Sequence, residues 1–283
     1  TGAFGDDPLA STAMTTGGRF DITSATKSFT ATLVFQLADQ GLIDLDGPLP
    51  ALDAAPDFSD HAAMTARQLL AHRSGLRNYR DTPEFRDHPE AMDTPEEAVA
   101  ASVKAARSAG PGKVTEYSST NYLILGMLLE QATGQRFDAL LSQRLLRPLR
   151  LTRTTHDGPG PGTPNFSTSG IFTDVGYLLR WGTAAYRDRV LVSPTSSAAM
   201  RDIDPDSSLG PGSVGMCPCH RSAGGALSWE WIGYTGSTTV VEYSAARDLV
   251  VVVRVTDDLW QAGRFPSVQA LASRLDALVV AAR

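Results

Sequence analysis

Apolar positions recur every three to four residues through most of the chain and change to a two-residue or continuous pattern near its end. In FDITSATKSFTATLVFQLADQG, Phe29, Leu33 and Leu37 repeat every four residues. This predicts a helix that opens near Ser24 and closes at Gly41. Thr65 is placed to cap a short helix through Leu70. Thr94-Pro95-Glu96-Glu97 combines an N-cap, proline at the first helical position and a glutamate three residues on, so a helix is expected to about Arg107. Leu123, Met127 and Leu128 mark another from Thr120 to Ala132, ended by Gly134. Phe137, Leu141 and Leu145 mark a third, and Tyr177, Leu178 and Trp181 a helix near residues 174–185. GPGPGTP, residues 158–164, is a loop by composition.

Three strand candidates follow: WEWIGY, TTVVEYS and LVVVVRVT, the last two joined by the hairpin-sized stretch Ala245 to Asp248. LVVVVRVT is apolar on both faces, as expected of a central strand. A closing helix, about Pro266 to Ala282, places Val268, Leu271, Leu275 and Leu278 on one stripe that would cover the sheet. The predicted class is α/β in the α+β sense, an antiparallel sheet flanked by helices with a mostly helical region inserted. Residues 1–44 and 216–283 form the sheet region, and residues 45–215 the insertion. Such a sheet needs more than three strands, and only about 23 residues precede Ser24 to supply them. A missing or separate amino-terminal segment is therefore expected.

The 283 residues suit one large domain or two smaller ones, and an apolar share of 42% supports a sizeable core. The net charge is −6 and no Lys/Arg block occurs, which argues against a nucleic-acid partner. No run of about 20 apolar residues is long enough for a membrane-spanning helix, and no signal peptide is visible in the sequence. The two cysteines, Cys217 and Cys219, are one residue apart beside His220. A strained bridge or a metal ligand is conceivable at that spacing, but with the histidines scattered, neither a metal nor a cofactor is expected.

Ser24 and Lys27 carry the first chemical signal. A three-residue offset stacks a hydroxyl and an ammonium on one helix face. An amine there can stabilise the serine alkoxide, or take its proton once its own pKa is depressed. The spacing alone also recurs on ordinary solvated helices. Two further clusters lie at element ends: Tyr117-Ser118-Ser119-Thr120-Asn121-Tyr122 and Tyr234-Thr235-Gly236-Ser237. Acyl transfer needs a nucleophile, a proton carrier and two donors for the developing oxyanion. Ser24, Tyr117 with Lys27, and the N–H groups of Ser24 and Ser237 can fill those parts.

With these motifs the chain resembles the serine beta-lactamase and D-alanyl-D-alanine carboxypeptidase superfamily, on the branch with class C beta-lactamases, R61-type DD-peptidases and related esterases. The resemblance runs through FDITSATKSFTATLVFQLADQGLIDLDGPL, LLAHRSGL at 69–76, TEYSSTNYLILGMLLEQATG at 115–134, SGIFTDVGYLLRW at 169–181 and GYTGSTTVVEYSAARDLVVVVRVT at 233–256. It implies a beta-lactamase/transpeptidase-like fold and a serine hydrolase acting on a small molecule or peptide. It also implies a secreted or cell-envelope location. Ser24 is then the acylated nucleophile, Lys27 its partner and Tyr117 the general base. Ser119, Tyr234, Thr235 and Gly236 are the implied substrate contacts.

Two departures bear on the substrate. The usual Tyr-x-Asn becomes Tyr117-Ser118-Ser119, which replaces an amide by a shorter hydroxyl. Asn121 is expected to serve the helix start. The usual Lys-Thr-Gly or His-Thr-Gly becomes Tyr234-Thr235-Gly236, which removes a cation suited to a carboxylate. Arg254, His220 and Arg221 are the candidates to compensate. The loss of that cation argues against beta-lactams and moves the weight towards ester or uncharged amide substrates. The leading reading is a D-alanyl-D-alanine carboxypeptidase-like peptidase or amidase, with an esterase or transacylase as the alternative. A non-catalytic binding protein would not need the full Ser24, Lys27 and Tyr117 set. His72 is expected to order a turn, Asp174 to help a helix start and Trp181 to be core. Trp229 and Trp231 share one strand face.

Overall fold

A computed structural model describes residues 2–3, 6–7, 12–13, 15–56, 58–160, 162–200, 219–221, 227–234, 238–244 and 248–255. The expected closing helix, Cys217 and Thr235 to Ser237 lie outside the described residues.

Helix α1, Thr26–Asp39, is the centre of the molecule, with eleven of its fourteen residues buried. The expected stripe of Phe29, Leu33 and Leu37 is inside, and so is nearly everything else on the helix. It ends as the glycine predicts. Gly41 has φ +72°, its N–H bonds Ala38 O at 2.9 Å, and the Leu42 N–H reaches back to Leu37 O at 2.9 Å. This is a Schellman closure, in which glycine takes the left-handed position without a Cβ clash.

The other described helices are α2 (Ala66–Leu70), α3 (Pro83–Asp87), α4 (Pro95–Lys104), α5 (Ser119–Thr133), α6 (Phe137–Leu141), α7 (Val175–Gly182) and α8 (Pro194–Ala199); α5 and α6 pack on α1, and α2 and α4 pack on α5. A π-helical turn extends α6 through Leu146 and another extends α7 through Arg187. The caps are those read from sequence. Thr65 with Gln68 and Thr94 with Glu97 both form reciprocal capping boxes, and Asp174 accepts the Tyr177 N–H at 2.9 Å. Thr94→Ala is expected to lower stability by about 1 kcal/mol in urea denaturation. Helix α4 stops at Lys104, short of Arg107. The Arg107 guanidinium turns away to the Ser74 carbonyl at 3.1 Å and to Asp60.

Three antiparallel sheets are described. β1 (Asp6–Asp7) pairs with β2 (Thr12–Ala13). β3 (Phe20–Asp21), β4 (Thr155–His156) and β5 (Ile171–Thr173) form a small sheet in the order β3-β5-β4. Two of these strands lie inside the region expected to be mostly helical. They are too short to leave a two-residue period in the sequence. The main sheet has the order β6-β7-β8-β9: β6 Cys219–Arg221, β7 Leu227–Tyr234, β8 Thr238–Ser244 and β9 Leu249–Val255. The three expected strands are present, and β6 supplies a fourth.

The expected central strand, β9, is the outermost of the described sheet. Within the described residues both of its apolar faces are covered. Val250 and Val252 pack on the helical core, while Val251, Val253 and Val255 gather with Val240 on the opposite face. The sheet meets the helices through α7. Trp181 of α7 stacks on Phe29 of α1, with centroids 3.7 Å apart and planes 13° apart. Strand β7 lies against the turn that carries Ser24.

Candidate active site

Ser24 sits in a 3-10 turn, Thr23–Ala25, that feeds directly into α1. The turn is strained. Thr23 has φ +50°, a costly value for a β-branched residue. Asp21 holds it there, because its Oδ1 accepts the Thr23 N–H at 2.7 Å. Burial raises the Asp21 pKa against the hydrogen bonds from the Thr23 and Gly170 backbone. β3 fixes the approach, and the Ile22 N–H continues its pairing onto Ile171 O at 2.9 Å.

Lys27 stands one helical turn on and is 1% exposed. Its Nζ donates to Ser24 Oγ at 3.1 Å and to the Thr168 carbonyl at 3.1 Å. Tyr117 Oη donates to Ser24 Oγ at 3.0 Å. Ser24 and Tyr117 remain partly exposed while the amine between them is shut off from water. Burial lowers the Lys27 pKa, and Arg80 adds to this, while Tyr117 opposes it. Burial alone would raise the Tyr117 phenol. The Lys27 charge and hydrogen bonds with Lys27, Ser24 and Ser119 outweigh it, so its pKa falls below 10.0.

The LLAHRSGL segment and the residues after it serve as a cradle for the Tyr117 segment. Ser74 Oγ donates to Asn121 Oδ1 at 2.6 Å, Thr120 Oγ1 accepts the Tyr79 N–H at 3.0 Å, and Asn78 Oδ1 accepts the Ser119 N–H at 3.3 Å. Asn121 therefore belongs to the helix start, as expected, and Ser119 lies with its hydroxyl towards the phenol. His72 closes the cradle. The His72 N–H bonds Leu69 O at 3.1 Å and the Arg73 N–H bonds Gln68 O at 2.7 Å, a Schellman closure of α2. Its left-handed position is taken by His72, with φ +56°, where glycine would save about 1 kcal/mol.

Ser24, Lys27, Tyr117 and Ser119 are thus brought together. Tyr234 ends β7, paired with Thr238, and Thr235, Gly236 and Ser237 are outside the described residues. Of the candidate cations, Arg254 stacks on Phe20 with Cζ 4.1 Å from the ring centroid, and His220 and Arg221 fall on β6. Arg80, not singled out in the sequence, sends its charge to Lys27 and lies over Tyr79 and Phe85. Thr168 was invisible for a different reason: a carbonyl acceptor carries no side-chain signature. Among the described residues no three His, Cys, Asp or Glu side chains converge on a metal position. No helix among them is long and apolar enough to cross a membrane.

A serine flanked by a buried lysine and a tyrosine, between a helical core and an antiparallel sheet, defines the beta-lactamase/transpeptidase-like class. The chain belongs to the beta-lactamase family, whose model matches residues 2–272. It is 37% identical over 148 residues to penicillin-binding protein 4 of Amycolatopsis lactamdurans, an alignment covering 49% of this chain and 36% of that one. The matched stretch spans about a third of the length of such curated relatives. Solved structures of the same fold include a D-stereospecific amidohydrolase from Streptomyces sp., with TM-score 0.73, 24% identity and coverage of 86% and 83% of the two chains. A D-amino acid amidase from Ochrobactrum anthropi SV3 aligns with TM-score 0.75, 23% identity and coverage of 90% and 81%.

Proposed function

We propose that this chain is a serine hydrolase of the beta-lactamase fold that forms an acyl-enzyme on Ser24 and acts as an amidase or D-alanyl-D-alanine carboxypeptidase-like peptidase. The observation that carries the reading is the convergence of Lys27 Nζ and Tyr117 Oη on one partly exposed serine oxygen, at 3.1 Å and 3.0 Å. Tyr117, its pKa lowered beside Lys27, takes the Ser24 proton as Oγ attacks the substrate carbonyl. The Ser24 and Ser237 N–H groups receive the oxyanion. As the C–N bond breaks, Tyr117 returns the proton to the leaving amine. Water then cleaves the ester to Ser24.

Ser119, Tyr234, Thr235 and Gly236 are the proposed substrate contacts. The two fold relatives named for D-stereospecific amide chemistry favour a D-configured amide. So does the sequence at 234, where tyrosine brings no charge for a terminal carboxylate. The same tyrosine supports the second reading, an esterase or transacylase, because its ring adds apolar area for an acyl or alkoxy group. Beta-lactamase activity is the weaker member of this set.

The test is a panel of a D-amino acid amide, a D-Ala-D-Ala peptide, a short aryl ester and a chromogenic cephalosporin, run beside a fluorophosphonate probe. The probe is expected to map to the Ser24 peptide and to be lost in Ser24→Ala, and the amide is expected to turn over fastest. Labelling elsewhere on folded protein would refute the nucleophile. A faster ester would transfer the assignment to the second reading.

A further inference from the structure

We infer that His72 is a positioning residue for Tyr117, holding its phenol at Ser24 through a backbone clamp; this rests on the reading of Tyr117 as the base. The clamp grips both neighbours of Tyr117. The Glu116 N–H donates to the His72 carbonyl at 2.9 Å, and the Ser118 N–H donates to His72 Nδ1 at 3.2 Å. Between them the imidazole lies against the Tyr117 ring, centroids 4.6 Å apart, and against Tyr122 at 5.3 Å. Two flanking backbone bonds and a ring contact leave the Tyr117 side chain little freedom to swing away from Ser24.

The residue type follows from the task. A left-handed position at a helix end favours glycine or asparagine, and histidine is kept there despite the strain. The imidazole supplies what glycine lacks, a buried acceptor aimed at the Ser118 N–H. Acceptance at Nδ1 requires the neutral ring with its proton on Nε2. Burial, with the Lys27 charge second, lowers the His72 pKa to about 3, so the acceptor persists across the working range.

The test is a set of acylation rates at Ser24 with a chromogenic ester or the probe above. His72→Ala is expected to slow acylation by roughly 10- to 100-fold through kcat, with KM within about twofold. His72→Asn keeps an acceptor at the Nδ1 place and tolerates the left-handed backbone, so it should restore most of the rate. His72→Phe keeps a ring but no acceptor and should resemble alanine, which covers the case where alanine does not fold. In a Tyr117→Phe background, His72→Ala should have little further effect. Equal slowing in both backgrounds, or an asparagine variant as slow as alanine, would overturn the clamp. Wild-type acylation in Tyr117→Phe alone would overturn the base reading, and the clamp's purpose with it.

Discussion

Lys27→Met is expected to slow acylation of Ser24 by about 10³- to 10⁴-fold while leaving the protein as stable as before or more so. The two halves have separate causes. The rate falls because the ammonium that donates to Ser24 Oγ and lowers the Tyr117 pKa is gone. Stability is a balance of two buried terms. Removing the amine strands the Thr168 carbonyl, which costs roughly 1–3 kcal/mol. It also removes a cation from an almost water-free site, where burial opposes the charge by several kcal/mol. The second is the larger, and methionine fills most of the vacated length. Thermal melting beside single-turnover acylation checks both. A variant that loses rate and stability in proportion would show Lys27 to be structural.

The same substitution has a signature in pH. In the wild type the reactive form needs Tyr117 deprotonated and Lys27 protonated. Activity should rise as pH passes the depressed Tyr117 value and fall as pH passes the depressed Lys27 value. The apparent constants belong to the pair. Without Lys27 the phenol loses its neighbouring charge, and burial then pushes it upward. The rising limb should move to alkaline pH, towards or above the ordinary tyrosine value near 10. An unmoved rising limb would assign it to another group.

Ser24 and Lys27 were legible because a covalent offset on one helix converts directly into proximity. Tyr117 required more. Ninety-three residues separate it from Ser24, and only the order of motifs, carried by resemblance, linked them. Capped helices were legible to within a residue at Thr65, Thr94 and Gly134, since caps are local chemistry. The two-residue strand β4 was not, because pairing across the sheet makes it a strand. The place of β9 in the strand order is not legible in the sequence, because an apolar pattern reports cover on both faces and is silent about neighbours along the hydrogen-bonding direction; among the described residues it stands at the sheet edge. His72 was legible as a turn residue, but its hold on Tyr117 appears only when 72 and 116–118 are brought together in space.

Gly126 is the site where helix propensity and packing give opposite predictions, and packing is expected to win. In the middle of α5, glycine forfeits about 1 kcal/mol against alanine. A Cβ there, however, would stand 2.5 Å from Phe166 Cε1 and 2.6 Å from Ser167 Cβ. Those atoms cannot easily withdraw. Ser167 Oγ donates to Tyr122 O at 2.5 Å, Thr30 Oγ1 donates to Ser167 O at 2.7 Å, and Phe166 already has φ +134°. The loop is wedged between α1 and α5, and its next residue offers the carbonyl that holds Lys27. Gly126→Ala is therefore expected to destabilise the fold by a net of about 1–2 kcal/mol, overpacking exceeding the gain in propensity. By displacing Thr168 it should also slow Ser24 acylation about tenfold or more. Urea denaturation and single-turnover acylation measure the two effects. An alanine variant at least as stable as the wild type, with its rate intact, would show that the loop yields without moving Lys27 and that the close approach at Gly126 has no part in setting the site.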